Sequence, residues 1–194
     1  RIRGLAAIRD PYPRNLSSGR KDWDDKNLKV VRAKFRLNPG PDFDANLSLS
    51  YFRQRDNSGN DTVAVGQLPL TTGIAVGGIT GIERDAVATN LGGLNDKREL
   101  AGEFTMRLGL GAVDLSTTTT YADLDNILTF DGDGTSARLV DATVFEQSKT
   151  FSQEVQLASA GSGPFDWIVG GYYFRDNTGF DTAIDVGTRT GSDG

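Results

Sequence analysis

Long stretches in which apolar and polar residues alternate are the feature that most limits how this chain can fold. Between residues 28 and 38 one parity carries the apolar residues Val31, Ala33, Phe35 and Leu37, and the other carries three basic residues, at 32, 34 and 36. Strict alternation places the two kinds of side chain on opposite faces of a β-strand. The pattern returns in residues 43–55, 99–122 and 150–176. The chain is therefore expected to be all-β and built from antiparallel hairpins.

The alternating segments and the turn residues between them define a predicted topology. We expect six strands that are antiparallel neighbours in one sheet, at 28–38, 43–55, 98–110, 114–123, 149–159 and 166–176. Residues 1–8 are expected to add part of an earlier strand, followed by a loop. The turns at 39–42, 111–113 and 160–165 are short and the connections 56–97 and 124–148 are long. In an up-and-down meander, the short turns share one rim and the long loops share the other.

Parity also predicts which side chains point the same way. The residues expected on the apolar, outward side are Phe35, Leu37, Leu47, Leu49, Phe104, Met106, Leu108, Val155 and Leu157. The residues expected on the polar, inward side are Arg32, Lys34, Arg36, Glu103, Arg107 and Glu154. If the apolar side faces lipid, a charge near the bilayer midplane costs about 2–4 kcal/mol for Arg or Lys, so the parity should be strict there.

Alternation alone does not decide whether the apolar side meets a protein core or lipid, because the strands of a soluble β-sandwich also alternate. Three features favour a transmembrane β-barrel. The alternating runs are longer than the five or six residues that are usual in globular strands. The polar parity carries full charges. Aromatic residues lie near the strand ends, where the aromatic girdle of a barrel would place them: Trp167, Tyr51 and Tyr121.

Composition excludes several kinds of function. The chain has no Cys and no His, which excludes thiolate catalysis, a Ser-His-Asp triad and Cys-based metal sites. The net charge of −5, with no concentrated basic patch visible in the sequence, argues against a nucleic-acid partner. The best apolar stretch, Ile74–Ile82, is far shorter than the roughly 20 residues of a membrane helix. The two ends, neither of which looks like a natural terminus, favour an internal part of a longer chain.

Weaker signals have ordinary explanations beside functional ones. Asp131, Asp133 and Asp141 fit an acidic turn better than a calcium loop, which would need a further ligand and a closing Glu. Glu99, Glu103 and Glu154 could form an acid/base pair of a glycosidase, but they follow the regular polar parity of the strands, which favours inward-facing residues. Glu83–Leu91 is a candidate short helix. Other weak patterns are a Gly-rich loop (Gly73, Gly77, Gly78 and Gly81) and glycosylation sequences (Asn15, Asn46 and Asn60).

The third hairpin, KTFSQEVQLASAGSGPFDWIVGGYYF, resembles a recurring stretch of TonB-dependent outer-membrane receptors. The residues that carry the resemblance are Phe151, Ser152, Gln153, Glu154, Leu157, Ala158, Ser159, Trp167, Gly170 or Gly171, Tyr172, Tyr173 and Phe174. VVRAKFRLNPGPDFDANLSLSYF and LGLGAVDLSTTTTYADLD are similar to earlier hairpins of the same family. Together they cover about residues 28–174 in the expected order, and the third hairpin is the specific part.

The resemblance implies an active transporter of the Gram-negative outer membrane, with a barrel of about 22 strands around an N-terminal plug domain. Residues 1–194 would be an internal part of that barrel, with six to seven strands and without the plug, the TonB box or the C-terminal strands. The implied function is uptake of a ferric siderophore or similar metal chelate, driven through TonB. The implied partners are outer-membrane lipid, lipopolysaccharide, the protein's own plug, TonB and a small-molecule substrate.

The protein is therefore expected to be a transporter and not an enzyme, with no catalytic, cofactor-binding or metal-binding residue and no cofactor. The substrate-facing regions are expected to be Asp56–Arg98 and Asp123–Lys149, because loops on a rigid scaffold concentrate binding residues. Two alternatives remain open: a non-energised outer-membrane porin, and a soluble secreted β-domain used in adhesion.

Overall fold

One sheet of seven antiparallel strands contains most of the chain. The structure, a computed structural model, describes residues 1–21, 23–57, 79, 82, 86–161 and 164–187. In the order in which they pair, the strands of the sheet are β1 (Ile2–Arg9), β3 (Lys26–Gly40), β4 (Phe43–Asp56), β6 (Leu94–Gly109), β7 (Val113–Asp131), β8 (Val140–Ser159) and β9 (Ile168–Val186). The sheet is open, with β1 and β9 as its edge strands. Two short strands, β2 (Arg14–Asn15) and β5 (Ala86–Val87), pair in parallel beside it.

All six predicted strands are confirmed as antiparallel neighbours in this sheet, and the strand expected at residues 1–8 is β1. The large strands are longer than predicted. β4 has 14 residues and β8 has 20, against the five or six of a usual globular strand. In the part of the chain that the structure describes, no helix is long and apolar enough to cross a membrane.

The expected long loop at 124–148 is wrong. β7 and β8 continue to pair through most of that range, with Ile127 opposite Phe145 and Leu128 opposite Val144. Only residues 132–139 connect the two strands. The prediction failed because apolar residues occur on both parities there and Asp123, Asp125 and Asn126 interrupt the alternation. A strand that carries apolar and polar residues on both of its faces can still pair with its neighbour, but its sequence has no period-two pattern.

The three short turns lie together on one rim, as predicted. The Gly109 amide donates to the Asp42 carbonyl oxygen at 2.7 Å, which joins the first turn to the second. The Ala160 amide donates to the Ala112 carbonyl oxygen at 2.9 Å, which joins the second turn to the third. Gly111 has a φ of 82°, a conformation that favours glycine in this tight reversal. We call this edge of the sheet the short-turn rim.

The opposite edge, which we call the long-loop rim, contains nearly all the buried residues that the structure describes. Trp23, Val87, Ala88, Asp131 and Thr135 are each less than 5% exposed. The loops are joined there by hydrogen bonds from the Leu16 amide to the Val87 carbonyl oxygen (2.8 Å) and from the Asn90 amide to the Thr135 carbonyl oxygen (3.1 Å). The prediction that the loops share one rim is therefore confirmed for their described parts.

The short helix expected at Glu83–Leu91 is wrong for the residues that can be described. Ala86 and Val87 form strand β5, and residues 88–91 follow it without helical structure. Residues 83–85 lie outside the described part of the chain. The parallel pairing of β5 with β2, whose partner residues are 72 positions apart in sequence, is a tertiary contact that local helix propensity cannot anticipate.

Candidate functional site: two faces of the sheet and its long-loop rim

One face of the sheet carries an array of apolar side chains. Register places Phe35, Leu47 and Phe104 directly opposite one another on β3, β4 and β6. We call the array the apolar belt; its members are Val31, Phe35, Leu37, Phe43, Leu47, Leu49, Tyr51, Leu100, Phe104, Met106, Leu108, Leu115, Tyr121, Phe151, Val155, Leu157, Val169 and Tyr173. The predicted apolar residues therefore share one face, and the predicted charged residues share the other.

The apolar belt has no protein partner in the described part of the chain. Strands contact only their neighbours within the sheet, so no second sheet covers the belt. Phe35 is 53% exposed, Leu37 61% and Val155 41%. An interior packed between two sheets, as in a β-sandwich, would bury such residues almost completely.

The apolar belt ends abruptly toward the long-loop rim. On the same face, Val31, Tyr51 and Leu100 are followed two residues further by Lys29, Arg53 and Arg98, which are direct cross-strand neighbours. We call this zone the ion-pair band; it consists of Lys29, Arg53, Asp96, Arg98, Asp123, Asp125 and Lys149. Its salt bridges are Arg53–Asp96, Arg98–Asp125 and Lys149–Asp123, the last at 3.5 Å.

A small polar network lies within the apolar belt on β7 and β8. The Gln153 amide nitrogen donates to Thr117 Oγ1 (2.6 Å) and to the Glu154 carbonyl oxygen (3.1 Å). The Gln153 Oε1 atom accepts from Thr119 Oγ1 at 2.7 Å, and Thr117 Oγ1 donates to the Glu154 carbonyl oxygen at 2.8 Å. Each polar group of these three side chains has a partner, which lowers the cost of placing them on an apolar face.

The opposite face, which we call the charged face, carries ions and hydroxyl groups. Ser48 lies opposite Glu103 on β6, and Glu103 lies opposite Thr120 on β7. A hollow of about 390 Å³ opens there, and it is lined from five adjacent strands, among others by Lys34, Ser50, Glu103 and Thr120. Two further hollows, of about 500 and 220 Å³, share Lys34 with it.

Pairing of β1 with β3 gathers basic side chains on the charged face. Arg3 lies directly opposite Arg32, and the Lys34 amide donates to the Arg1 carbonyl oxygen at 2.8 Å. We call Arg1, Arg3, Arg32 and Lys34 the basic cluster; all four line one hollow. The sequence-based statement that no basic patch is concentrated is therefore wrong for the folded chain. The period-two spacing of Arg1 and Arg3 was the available signal, and only the pairing of β1 with β3 shows that it adds to Arg32 and Lys34.

The three glutamates considered as acid/base candidates all lie on the charged face, but on different parts of it. Glu99 is opposite Leu124, and Glu103, four residues further along β6, is opposite Thr120. Glu154 lies across β7, opposite Thr118, and accepts a hydrogen bond from the Gln156 amide. These placements follow the regular polar parity of the strands, as the sequence indicated.

Asp131, at the end of β7, organises the long-loop rim. It is 1% exposed and accepts hydrogen bonds from Thr89 Oγ1 (2.7 Å) and from the Asp133 and Gly134 amides (3.1 and 2.8 Å). Burial raises the pKa of this carboxyl above its usual range, although the hydrogen bond from Thr89 opposes the shift. Asp131 thereby connects the segment after β5 to the tip of the β7–β8 hairpin.

The neighbouring aspartates also serve the turn. Asp133 accepts from the Thr135 and Val140 amides at 3.1 and 2.9 Å, and Asp141 accepts from the Asn90 side-chain amide at 3.0 Å. Among the residues that the structure describes, no group of three or more acidic residues is arranged to hold a metal ion. The geometry fits the acidic turn that the sequence favoured over a calcium loop.

The described residues include only part of the regions predicted to face substrate. Within Asp56–Arg98, the described parts are residues 56–57, 79, 82 and 86–98, and within Asp123–Lys149 most residues belong to β7 and β8. The Gly-rich stretch (Gly73, Gly77, Gly78 and Gly81) and Asn60 lie outside the described residues. Asn15 is 3% exposed, while Asn46 is exposed on the charged face.

Comparison of the chain with protein-family models, with curated proteins and with solved structures finds no match.

Proposed function

We propose that the sheet is part of the wall of a transmembrane β-barrel in the outer membrane of a Gram-negative bacterium. The proposed function of the whole protein is energised uptake of a scarce nutrient, a ferric siderophore or similar metal chelate, coupled to TonB. The observation that carries the proposal is the apolar belt, an ordered array of exposed apolar side chains bounded by ions.

Lipid contact accounts for the belt better than water does. Burying a Leu or Phe side chain away from water is worth about 1.5–3 kcal/mol, so a continuous array of exposed ones is unfavourable in water. Monomeric soluble proteins rarely expose large continuous apolar patches, and such patches mark protein or membrane contacts. The belt extends over six adjacent strands and has the regular parity that lipid would impose.

The height of the belt fits a bilayer. On β4 it extends from Phe43 to Tyr51, which is about nine residues and matches the roughly 9–11 residues of a tilted membrane strand. Tyr51, Tyr121 and Phe151 lie at the margin of the belt that faces the long-loop rim, and Trp167 lies beside the short-turn rim. Aromatic residues at both margins correspond to the girdles of outer-membrane barrels. The strands then continue past the ion-pair band into water.

The open edges and the charged face agree with a large barrel. In lipid, the unpaired backbone groups of β1 and β9 would have to pair with further strands. Seven strands are too few to enclose a plug, whereas a barrel of about 22 strands has a wide lumen that tolerates charges and hydroxyl groups. We assign the short-turn rim to the periplasm and the long-loop rim to the cell exterior, as in bacterial barrels.

Coupling to TonB rests on the resemblance of the third hairpin to TonB-dependent receptors. The same reasoning assigns the protein a plug domain, a small-molecule cargo and contact with lipopolysaccharide. It assigns no enzymatic step, no cofactor and no nucleic acid. The charged face, with its hollows, is suited to a polar cargo or a polar plug rather than to a dry core.

The test is radioiron uptake by cells that produce the full-length protein and lack their own receptors for the chelate supplied. We expect uptake that stops when a protonophore collapses the proton gradient and also stops when TonB is deleted. The control is the same strain with an empty vector. Uptake that persists without the gradient would replace the proposal with a porin. Recovery of the protein in the absence of detergent, outside the membrane fraction, would replace it with a secreted β-domain.

A further inference from the structure

We infer that the basic cluster on the charged face binds an anionic cargo, one whose carboxylate, catecholate or phosphate oxygens carry negative charge. The inference rests on the proposed uptake function and adds to it the charge of the substrate. It assigns the binding to Arg3, Arg32 and Lys34, together with the hydroxyl groups on the neighbouring strands.

Register holds the cations close together. Arg3 and Arg32 are direct cross-strand partners on β1 and β3, and Lys34 follows Arg32 on the same face. Directly paired residues have Cβ atoms about 4.5–5.5 Å apart, and like charges at that distance destabilise a sheet. The fold therefore accepts a repulsion that a bound anion would remove.

The basic cluster lacks the salt-bridge partners that three arginines of the charged face have. Arg36 pairs with Asp44 by a salt bridge, Arg107 with Asp114 at 2.5 Å, and Arg9 with Asp24 at 2.7 Å. Within the described residues, the side chains of Arg3, Arg32 and Lys34 take part in none of the salt bridges. Lys26 and Lys97 of the charged face also take part in none of these salt bridges, and the basic cluster differs from them in bringing several such cations together.

The surroundings of the cluster are suited to a small anion. The hollow of about 390 Å³ lies within the roughly 300–1,000 Å³ of small-molecule sites, and it presents the Ser48, Ser50 and Thr120 side chains beside Arg32 and Lys34. Hydroxyl groups donate hydrogen bonds to anionic oxygens, and Arg can bind a carboxylate with two parallel hydrogen bonds. Glu103 is the one carboxylate among the residues lining the three hollows that contain Lys34.

Binding of an anion would depend on this local cluster of cations and not on the charge of the chain as a whole. Its net charge is −5, so an anion is repelled at long range unless it reaches a local cluster of cations. The position of the cluster also matters. Lys34 neighbours Phe35 of the apolar belt, so it lies at the height of the membrane. A cargo bound there would contact the lumen side of the barrel wall rather than the loops of the long-loop rim.

The experiment uses the purified full-length protein in detergent and two iron complexes that differ in charge. They are the anionic ferric tris-catecholate complex and the uncharged ferric tris-hydroxamate complex, and their affinities are measured by equilibrium dialysis. The test variant carries Arg32→Gln and Lys34→Gln. The matched control is Lys29→Gln, which removes a cation of the same strand from the opposite face. Retention of the heat-resistant folded form on a gel verifies that each variant is folded.

We expect the anionic complex to bind and the double variant to weaken that binding by about a hundredfold, since each charged hydrogen bond is worth about tenfold or more. The uncharged complex and the Lys29→Gln variant should show no such loss. Equal affinity for both complexes, binding of neither, or an equal loss of both in the double variant would each overturn the inference.

The two proposals fail differently. Gradient-driven uptake without preference for the anionic complex would overturn the inference and leave the uptake function in place. Charge-selective binding by the purified protein without any gradient-driven uptake would retain the inference and remove the proposed function.

Discussion

The same strands present two different surfaces on one face, and the change occurs within two residues. Toward the short-turn rim, the side chains of β4 and β6 are apolar and exposed, such as Leu49 and Phe104. Toward the long-loop rim, the corresponding positions are Arg53 and Arg98, which are paired with aspartates. Backbone pairing continues without interruption through both regions. Under the proposed function the difference is one of surroundings, with lipid beside the apolar belt and water beside the ion-pair band.

The way each region is held together supports this comparison. Near the long-loop rim, buried residues and side-chain hydrogen bonds around Asp131 join loops that are distant in sequence. Among the described residues, no member of the apolar belt is buried, and its strands contact only their neighbours in the sheet. The belt region would depend on its environment for stability, whereas the rim depends on its own contacts.

The largest expected effect is that of a charge placed in the apolar belt. Leu47→Arg should destabilise the full-length protein by about 2–4 kcal/mol, because the side chain would lie near the bilayer midplane. Ser48→Arg is the matched control, since Ser48 is the next residue and points to the charged face. The measurement is equilibrium unfolding in lipid vesicles. Equal stability of the two variants would show that the belt faces water and would remove the two-solvent comparison.

A second prediction tests how tightly β9 packs on β8 beside the short-turn rim. A Cβ atom at Gly170 would lie 2.8 Å from the Val155 carbonyl oxygen, whereas a Cβ atom at Gly171 would meet open space. Gly170→Ala should therefore cost about 1–3 kcal/mol, as overpacking usually does, and Gly171→Ala should cost clearly less. Unfolding in vesicles measures both. A larger loss for Gly171→Ala would indicate that a neighbouring strand covers that side of β9.

Sequence reasoning predicted the belt region well and the long-loop region poorly, for a physical reason. Where Phe35, Leu47 and Phe104 alternate with polar residues, the apolar and polar side chains lie on different faces, so the period-two pattern gives the strand and its orientation. Past Asp123 the two faces of β7 have similar surroundings, and nothing forces the residues to alternate. The strand extension could not be predicted from the pattern.

The basic cluster and the Asp131 cluster were beyond sequence reasoning for another reason. Both depend on contacts between distant segments: Arg3 meets Arg32 only through strand pairing, and Thr89 meets Asp131 only through loop packing. The sequence identified Asp131 and Asp133 as an acidic turn, and the structure adds the amides and the hydroxyl that they bind. Register and loop contacts are tertiary information that residue spacing does not carry.

The third prediction concerns Asp131, which holds the long-loop rim. Asp131→Ala should weaken the rim by about 1–2 kcal/mol, because the Asp133 and Gly134 amides lose their acceptor. Asp131→Asn should be tolerated. Its carbonyl oxygen can still accept from those amides, and Thr89 can donate to the Leu91 carbonyl oxygen, which lies 2.8 Å away. Hydrogen exchange of the Gly134 amide is the measurement, and equal exchange in both variants would contradict it.

The same carboxyl gives a pH dependence with a definite sign. Because burial raises its pKa above the ordinary value of 3.8, the folded rim binds the proton more tightly than the unfolded chain does. The contribution of the Asp131 carboxyl to the stability of the folded rim should therefore be largest below pH 3.8. It should decrease as the pH rises from there through the raised pKa. Gly134 protection should show this decrease in the wild type and lose it in Asp131→Asn. An increase with pH over that range would contradict the assignment.

The smallest expected effect is that of breaking an ion pair in the ion-pair band. Arg53 and Asp96 have side chains that are 31% and 19% exposed, so water and salt screen their attraction. A double-mutant cycle of Arg53→Gln and Asp96→Asn should give a coupling of about 0.2–1 kcal/mol that decreases as salt is added. This small coupling is informative when it is compared with the large loss of stability expected for Leu47→Arg.

If the ion-pair band lies in water, its charges can be removed at little cost, whereas a charge added a few residues away in the apolar belt is expensive. A coupling of several kcal/mol, insensitive to salt, would place Arg53 and Asp96 out of contact with water, and the boundary of the belt would then lie closer to the long-loop rim.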